Sequence, residues 1–158
     1  MNHQFTLAVA ESLTGGLLSD QFVRISGASR NFCGSVTTYS LESKVTLLGT
    51  DKEMTYATNG VSHQVARQMA LGVCKMFRTD IGIATTGYAE EFSDNRRTYY
   101  QQAHVYLHHA TSGKNKSMYL VSTKNLSRNN FRRYVAQQTW KMYHEYVNHL
   151  SADTKKIV

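Results

Sequence analysis

The sequence predicts an α/β fold: a single three-layer α/β/α domain over residues 1–158, its core at about residues 5–150, with a mixed β-sheet between layers of helices. Three patterns predict it. Strand-like and helix-like periodicities alternate through the first 87 residues, a hairpin pattern turns around Thr111-Ser112-Gly113, and a long helical stripe runs from Asn129 to Leu150. The length of 158 residues suits one domain.

The elements follow in order. Phe5 to Ala10 is a short apolar run that reads as a strand, closed by Glu11-Ser12-Leu13-Thr14-Gly15-Gly16. Leu17, Leu18, Phe22, Val23 and Ile25 then recur at helical spacing until Gly27-Ala28-Ser29 ends the helix. Phe32 to Tyr39 is rich in β-favouring and small residues and reads as a second strand. Leu41 to Leu48 is a short helix stopped by Gly49. Thr50 with Glu53 makes a capping-box pattern, and Ser62 is the expected N-cap of a longer helix carrying Val65, Ala66, Met69, Ala70, Val73, Met76 and Phe77. Asp80 to Thr86 is a third strand ending at Gly87, and Tyr99 to His109 pairs with Ser117 to Thr123. In the terminal helix Phe131, Tyr134, Val135, Trp140, Met142, Tyr143, Tyr146, Val147 and Leu150 form a broad apolar stripe, simplest as core or subunit-interface packing.

Composition excludes several classes. No stretch approaches the ~20 apolar residues of a membrane span, and 41% apolar with 18% charged residues is too balanced for a disordered chain. Met1-Asn2-His3-Gln4-Phe5 starts no secretory signal, so a cytoplasmic location is expected, with Cys33 and Cys74 as buried reduced thiols. The net charge of +7 is unevenly placed. Residues 1–111 carry nine basic and nine acidic groups, whereas residues 112–158 carry nine basic groups against Glu145 and Asp153. The last third is therefore suited to anions, or simply well solvated. His104, His108 and His109 do not suggest a metal: on a strand, 104 and 108 lie roughly 13 Å apart and 109 points to the other face. No metal or other cofactor is expected.

Ala10-Glu11-Ser12-Leu13-Thr14-Gly15-Gly16 places two hydroxyls and two glycines where a strand gives way to a helix. The first N–H groups of a helix have no internal partners and favour negative charge. A serine there could attack a carbonyl while the Gly15 and Gly16 amides receive the developing oxyanion. From spacing alone, Ser12 or Thr14 could equally be a helix cap. Lys44 is a second clue, because it falls within the apolar stripe Leu41, Val45, Leu48 and so is aimed at the core. Desolvation lowers a lysine pKa, and a neutral amine can activate a serine. The other reading is a side chain whose stem is packed while its ammonium reaches water. Tyr39 could relay a proton or orient Lys44, although spacing alone favours an ordinary tyrosine at a strand end.

Together with Ser26-Gly27-Ala28-Ser29, Thr38-Tyr39-Ser40, Leu48-Gly49, Gly60-Val61-Ser62 and Thr85-Thr86-Gly87, these motifs resemble, in order and spacing, the C-terminal domain of the competence and damage-inducible CinA proteins. The resemblance covers roughly residues 5 to 150. It is similar to the stand-alone form, which implies hydrolysis of the amide of nicotinamide mononucleotide to nicotinate mononucleotide and ammonia. The resemblance implies Ser12 as nucleophile, Lys44 as its base and Tyr39 as an assisting group. It implies Glu11, Thr14, Gly15, Gly16, Thr86, Gly87, Arg128 and Arg132 as substrate-binding residues, with a homo-oligomer as the assembly.

A 5′-phosphate needs cations, and Ser127-Arg128-Asn129-Asn130-Phe131-Arg132 would offer helix amides and two guanidiniums converging on one anion. One departure stands out. The family pattern T-G-I-A-G-P-x-G is here Thr86-Gly87-Tyr88-Ala89-Glu90-Glu91, running on through Phe92-Ser93-Asp94-Asn95 to Arg96-Arg97, so two carboxylates replace a neutral segment. The alternative function is a catalytically inactive relative that binds a nucleotide, or nucleic acid, through its basic last third.

Overall fold

The structure is a computed structural model that describes residues 5–95, 97–122 and 126–154. Its strands follow from the alternation of side chains. In β1 (Leu7–Glu11), Leu7 and Val9 point to one side and Ala8 and Ala10 to the other, and the whole strand is buried. It lies between β2 (Phe32–Thr37) and β3 (Ile81–Tyr88), parallel to both. Antiparallel β6 (Gln102–His109) and β7 (Asn115–Val121) complete a sheet of order β2-β1-β3-β6-β7. The fold is a mixed five-stranded sheet with helices on both faces.

The larger residues Leu7, Val9, Ile81, Ile83, Val105 and Leu107 face α1 (Leu17–Val23) and α5 (Arg128–Thr154), where Leu18, Phe22, Phe131 and Val135 meet them. The small residues Ala8, Ala10 and Ala84 face α4 (His63–Phe77), with α2 (Leu41–Leu48) and α3 (Lys52–Ala57) beside it. Small residues let α4 lie close to the sheet. A β-carbon on Gly82 would stand 2.1 Å from the Ala70 carbonyl oxygen, so only glycine fits there. β1 connects to β2 through α1 on one face, and β2 connects to β3, on the other side of β1, through helices on the opposite face. Right-handed crossovers require that divergence. It opens a crevice at the carboxyl ends of β1, β2 and β3, the place where open α/β sheets bind ligands.

Several expected boundaries move. The first helix ends at Val23, short of Ile25, and the second strand ends at Thr37, short of Tyr39. Asp51, not Thr50, caps α3, accepting from the Met54 amide at 2.7 Å. Ser40 and Ser62 cap α2 and α4 in the same way. β3 passes through Gly87 to Tyr88, and α5 starts at Arg128 and continues past Leu150 to Thr154. The segment expected as one strand from Tyr99 divides. Thr98–Tyr99 is a short β5 paired with β4 (Phe92–Ser93), and the buried Gln101 interrupts it, donating to the carbonyls of Ala89 and Leu126. Thr123 lies outside the described residues. Cys33 is exposed, because β2 is an edge strand whose Cys33, Ser35 and Thr37 face outward; Cys74 is buried.

Candidate active site

Ser12 follows β1 directly, its amide donating to the Thr85 carbonyl of β3 at 3.0 Å. Lys44 lies on the first turns of α2, on the helix side turned to the sheet. Its Nζ stands 3.0 Å from Ser12 Oγ, and it donates to the carbonyls of Thr38 at 2.8 Å and Tyr39 at 3.2 Å. Ser12 is 7% exposed and Lys44 2%, so the ammonium does not reach bulk water. The contacts of Lys44 are a hydroxyl and two carbonyls; among the described ion pairs it has no carboxylate. Burial without a counter-ion penalises the charged form, and the Lys44 pKa falls to about 8.

The pair sits in a cleft of about 390 Å³ whose walls include Tyr39, Thr86, Tyr88, Glu90, Phe92 and Arg128. Thr86, one residue beyond the Thr85 that pairs with Glu11 at the end of β1, is buried and donates from Oγ1 to the Gly60 carbonyl at 2.6 Å. Gly87 borders the cleft and passes close to β6, where a β-carbon would meet the Gln102 carbonyl oxygen at 2.2 Å. Thr14 is fully buried beneath the turn, its hydroxyl 2.7 Å from that of Thr85.

Other expected site residues face elsewhere. Glu11 is fully buried and does not line the cleft; its carboxylate accepts from the amides of Gly16, Leu18 and Ser19 at 2.9, 3.1 and 2.9 Å, and from the Ser19 hydroxyl. It caps the helix that neither Ser12 nor Thr14 caps, because the N-cap position falls at Gly16 with φ +96°. The Gly16 amide is thereby taken. The amides of Leu13, Thr14 and Gly15 make no hydrogen bond among the described residues. The Tyr39 side chain is 62% exposed and accepts from Arg128, so its contact with Lys44 runs through its backbone carbonyl and its hydroxyl relays no proton there.

The two arginines do not converge. Arg132 turns to the loop that bears Ser12, donating from Nε to the Leu13 carbonyl at 2.7 Å and from Nη2 to the Thr14 carbonyl at 3.0 Å. Gly15, at φ +54°, lies in the left-handed region that favours glycine, and a β-carbon there would crowd that Nη2 at 2.9 Å. Arg128 borders the cleft, paired with Glu90 and Tyr39. Thr85 and Glu90 were not among the expected residues. A signal existed for each, in the Thr85-Thr86-Gly87 motif and in the acidic loop. Arg96 lies outside the described residues, and among those described no three His, Cys, Asp or Glu side chains are grouped to hold a metal ion. No described helix is long and apolar enough to cross a membrane.

Known proteins show the same architecture. A competence/damage-inducible protein from Agrobacterium tumefaciens superposes with a TM-score of 0.81 at 24% identity, over 89% of this chain and 84% of that one. A competence damage-inducible protein A from Klebsiella pneumoniae gives 0.82 at 21% identity, over 92% and 88%. A CinA-like protein of Petrotoga mobilis is 46% identical over 89 residues, which are 56% of this chain and 22% of that relative, so the match spans about a fifth of the longer protein. The model of the CinA C-terminal domain matches residues 1–147. With that match running through nearly the whole sequence, the chain belongs to the CinA C-terminal domain family.

Proposed function

We propose that the protein is a cytoplasmic Ser-Lys amidohydrolase that converts nicotinamide mononucleotide to nicotinate mononucleotide and ammonia. The observation that carries this reading is the 3.0 Å separation of Ser12 Oγ from a buried lysine amine whose pKa is lowered to about 8. With Lys44 neutral, its lone pair takes the Ser12 hydroxyl proton as Oγ attacks the carboxamide carbon. The amide of Leu13, next to Ser12 at the edge of the cleft and free of other partners among the described residues, is suited to receive the oxyanion. Lys44 then returns the proton to the departing nitrogen, which leaves as ammonia. Water, deprotonated by the same amine, cleaves the Ser12 ester and releases the carboxylate. The altered segment after Gly87 places Glu90 beside Arg128, 2.7 Å from its Nη1.

The test is ammonia release from nicotinamide mononucleotide by the purified chain. Release supports the reading; no release, with oligonucleotide binding that weakens steeply with salt, replaces it by a binding function of the basic last third. Arg132 provides a further check. Its guanidinium is committed to the Leu13 and Thr14 carbonyls and to Asn129 and does not line the cleft, so Arg132→Met is expected to lower kcat roughly 10- to 100-fold while leaving KM nearly unchanged. Initial rates across substrate concentration separate the two parameters.

A further inference from the structure

The hydrolysis above leaves one feature of the cleft unused, the ion pair across its mouth. Arg128 Nη1 donates to Glu90 Oε1 at 2.7 Å, and Nη2 donates to the Tyr39 hydroxyl at 2.8 Å. The guanidinium faces the same cleft as Ser12 and Lys44, and two of its nitrogens are already engaged. A phosphoryl group would need that same planar fork to bind in bidentate fashion. The two claims on Arg128 compete.

The Glu90 backbone is fixed while its side chain is open. Ala89 is buried, and its carbonyl accepts from Gln101 Nε2 at 2.7 Å, the nitrogen that also donates to the Leu126 carbonyl at 2.8 Å. On the other side Phe92 stacks on Tyr99 at 4.6 Å, with Tyr88 edge-on to both rings. Glu90 therefore cannot drift away with a loose loop. Its side chain is 56% exposed and that of Arg128 43%, so the ion pair is solvated, individually weak, and can be exchanged by a rotamer change.

We propose that Glu90 is a specificity-determining residue of this cleft, an internal carboxylate that occupies Arg128 and must yield to the anionic group of a phosphorylated substrate. The substrate assignment rests on the amidohydrolase reading; the competition for Arg128 does not. Phosphorylated carboxamides pay for displacing Glu90, whereas the corresponding uncharged-tail nucleosides do not, so the residue narrows the preference between the two classes.

The experiment compares wild type, Glu90→Gln and Glu91→Gln on nicotinamide mononucleotide and on nicotinamide riboside, with calorimetric binding of nicotinate mononucleotide to each protein. Glu91→Gln removes the same charge from an exposed neighbour that makes no described ion pair. Glu90→Gln is expected to raise kcat/KM for the phosphorylated substrate about two- to fivefold through KM, the scale of one exposed ion pair, with the riboside unchanged. Nicotinate mononucleotide should bind tighter by the same factor, and Glu91→Gln should change neither quantity. An unchanged ratio between the two substrates, or an equal rise in Glu91→Gln, overturns the proposal. If no protein hydrolyses either compound, the calorimetry still decides. Tighter binding to Glu90→Gln alone upholds the role of Glu90 while the amidohydrolase reading falls, and equal or absent binding overturns it.

Discussion

Lys44→Met is expected to lower kcat by about 10³-fold, the scale of removing a positioned general base, with KM little affected because the amine is held by Ser12 and the Thr38 and Tyr39 carbonyls. In the wild type, kcat/KM should rise about tenfold per pH unit below 8 and level off above it, because the reactive form is the neutral amine. The variant should lose that limb. The same group makes a second, independent prediction about stability. Between pH 8 and the ordinary lysine value of 10.5 the unfolded chain binds a proton at Lys44 that the folded chain does not. Stability from this group therefore rises with pH across that window, and below it the fold carries the full cost, about 3 kcal/mol. Methionine removes this cost but leaves the Thr38 and Tyr39 carbonyls without their donor, a loss of similar size. The two proteins should be nearly equally stable at pH 7, and the wild type should gain on the variant by about 3 kcal/mol towards pH 10.5. Urea unfolding of both proteins at several pH values measures the difference and cancels other titrating groups. A constant difference would mean that Lys44 is charged and hydrated in the folded state.

Glu11→Ala should be the most destabilising single change near the site, by about 3 to 5 kcal/mol, or a fall in Tm of roughly 6 to 20 °C for a chain of this size. The carboxylate is fully buried and satisfies three amides and a hydroxyl at the start of α1. Those donors have no water to turn to, and the positive end of the helix loses its compensating charge. Glu11→Gln keeps the shape but turns one acceptor into a donor, so it should fall between the two. Thermal melts of the three proteins give the order. A Glu11→Ala protein that melts with the wild type but binds substrate poorly would restore Glu11 to the ligand-binding surface.

What could be read in advance depended on whether the interaction was local. Lys44 was legible because helical spacing alone puts it on the apolar side of α2, and the strand-turn-helix punctuation around Ser12 marks its position at the sheet's carboxyl edge. The three-layer order followed from alternating periods for the same reason. The substrate-binding role that the resemblance implies for Glu11 has no local signal against it, because only the third dimension shows that its carboxylate faces the amides of its own following helix. Arg132 was assigned to an anion because its partners, Leu13 and Thr14, are remote in sequence and carry the signal in their carbonyls, which every residue has. Cys33 failed on a different ground: thiol burial is a statistical habit, and an edge strand has one side with nothing to cover it.

The brace from Arg132 to Leu13 spans 119 positions, so the turn bearing Ser12 is secured by a residue made long after it. During synthesis β1 and α1 leave the ribosome well before α5 does, and until then they lack this strut. The turn around Ser12 therefore gains this contact only when α5 docks on the sheet, so its final geometry is a late, long-range event of folding.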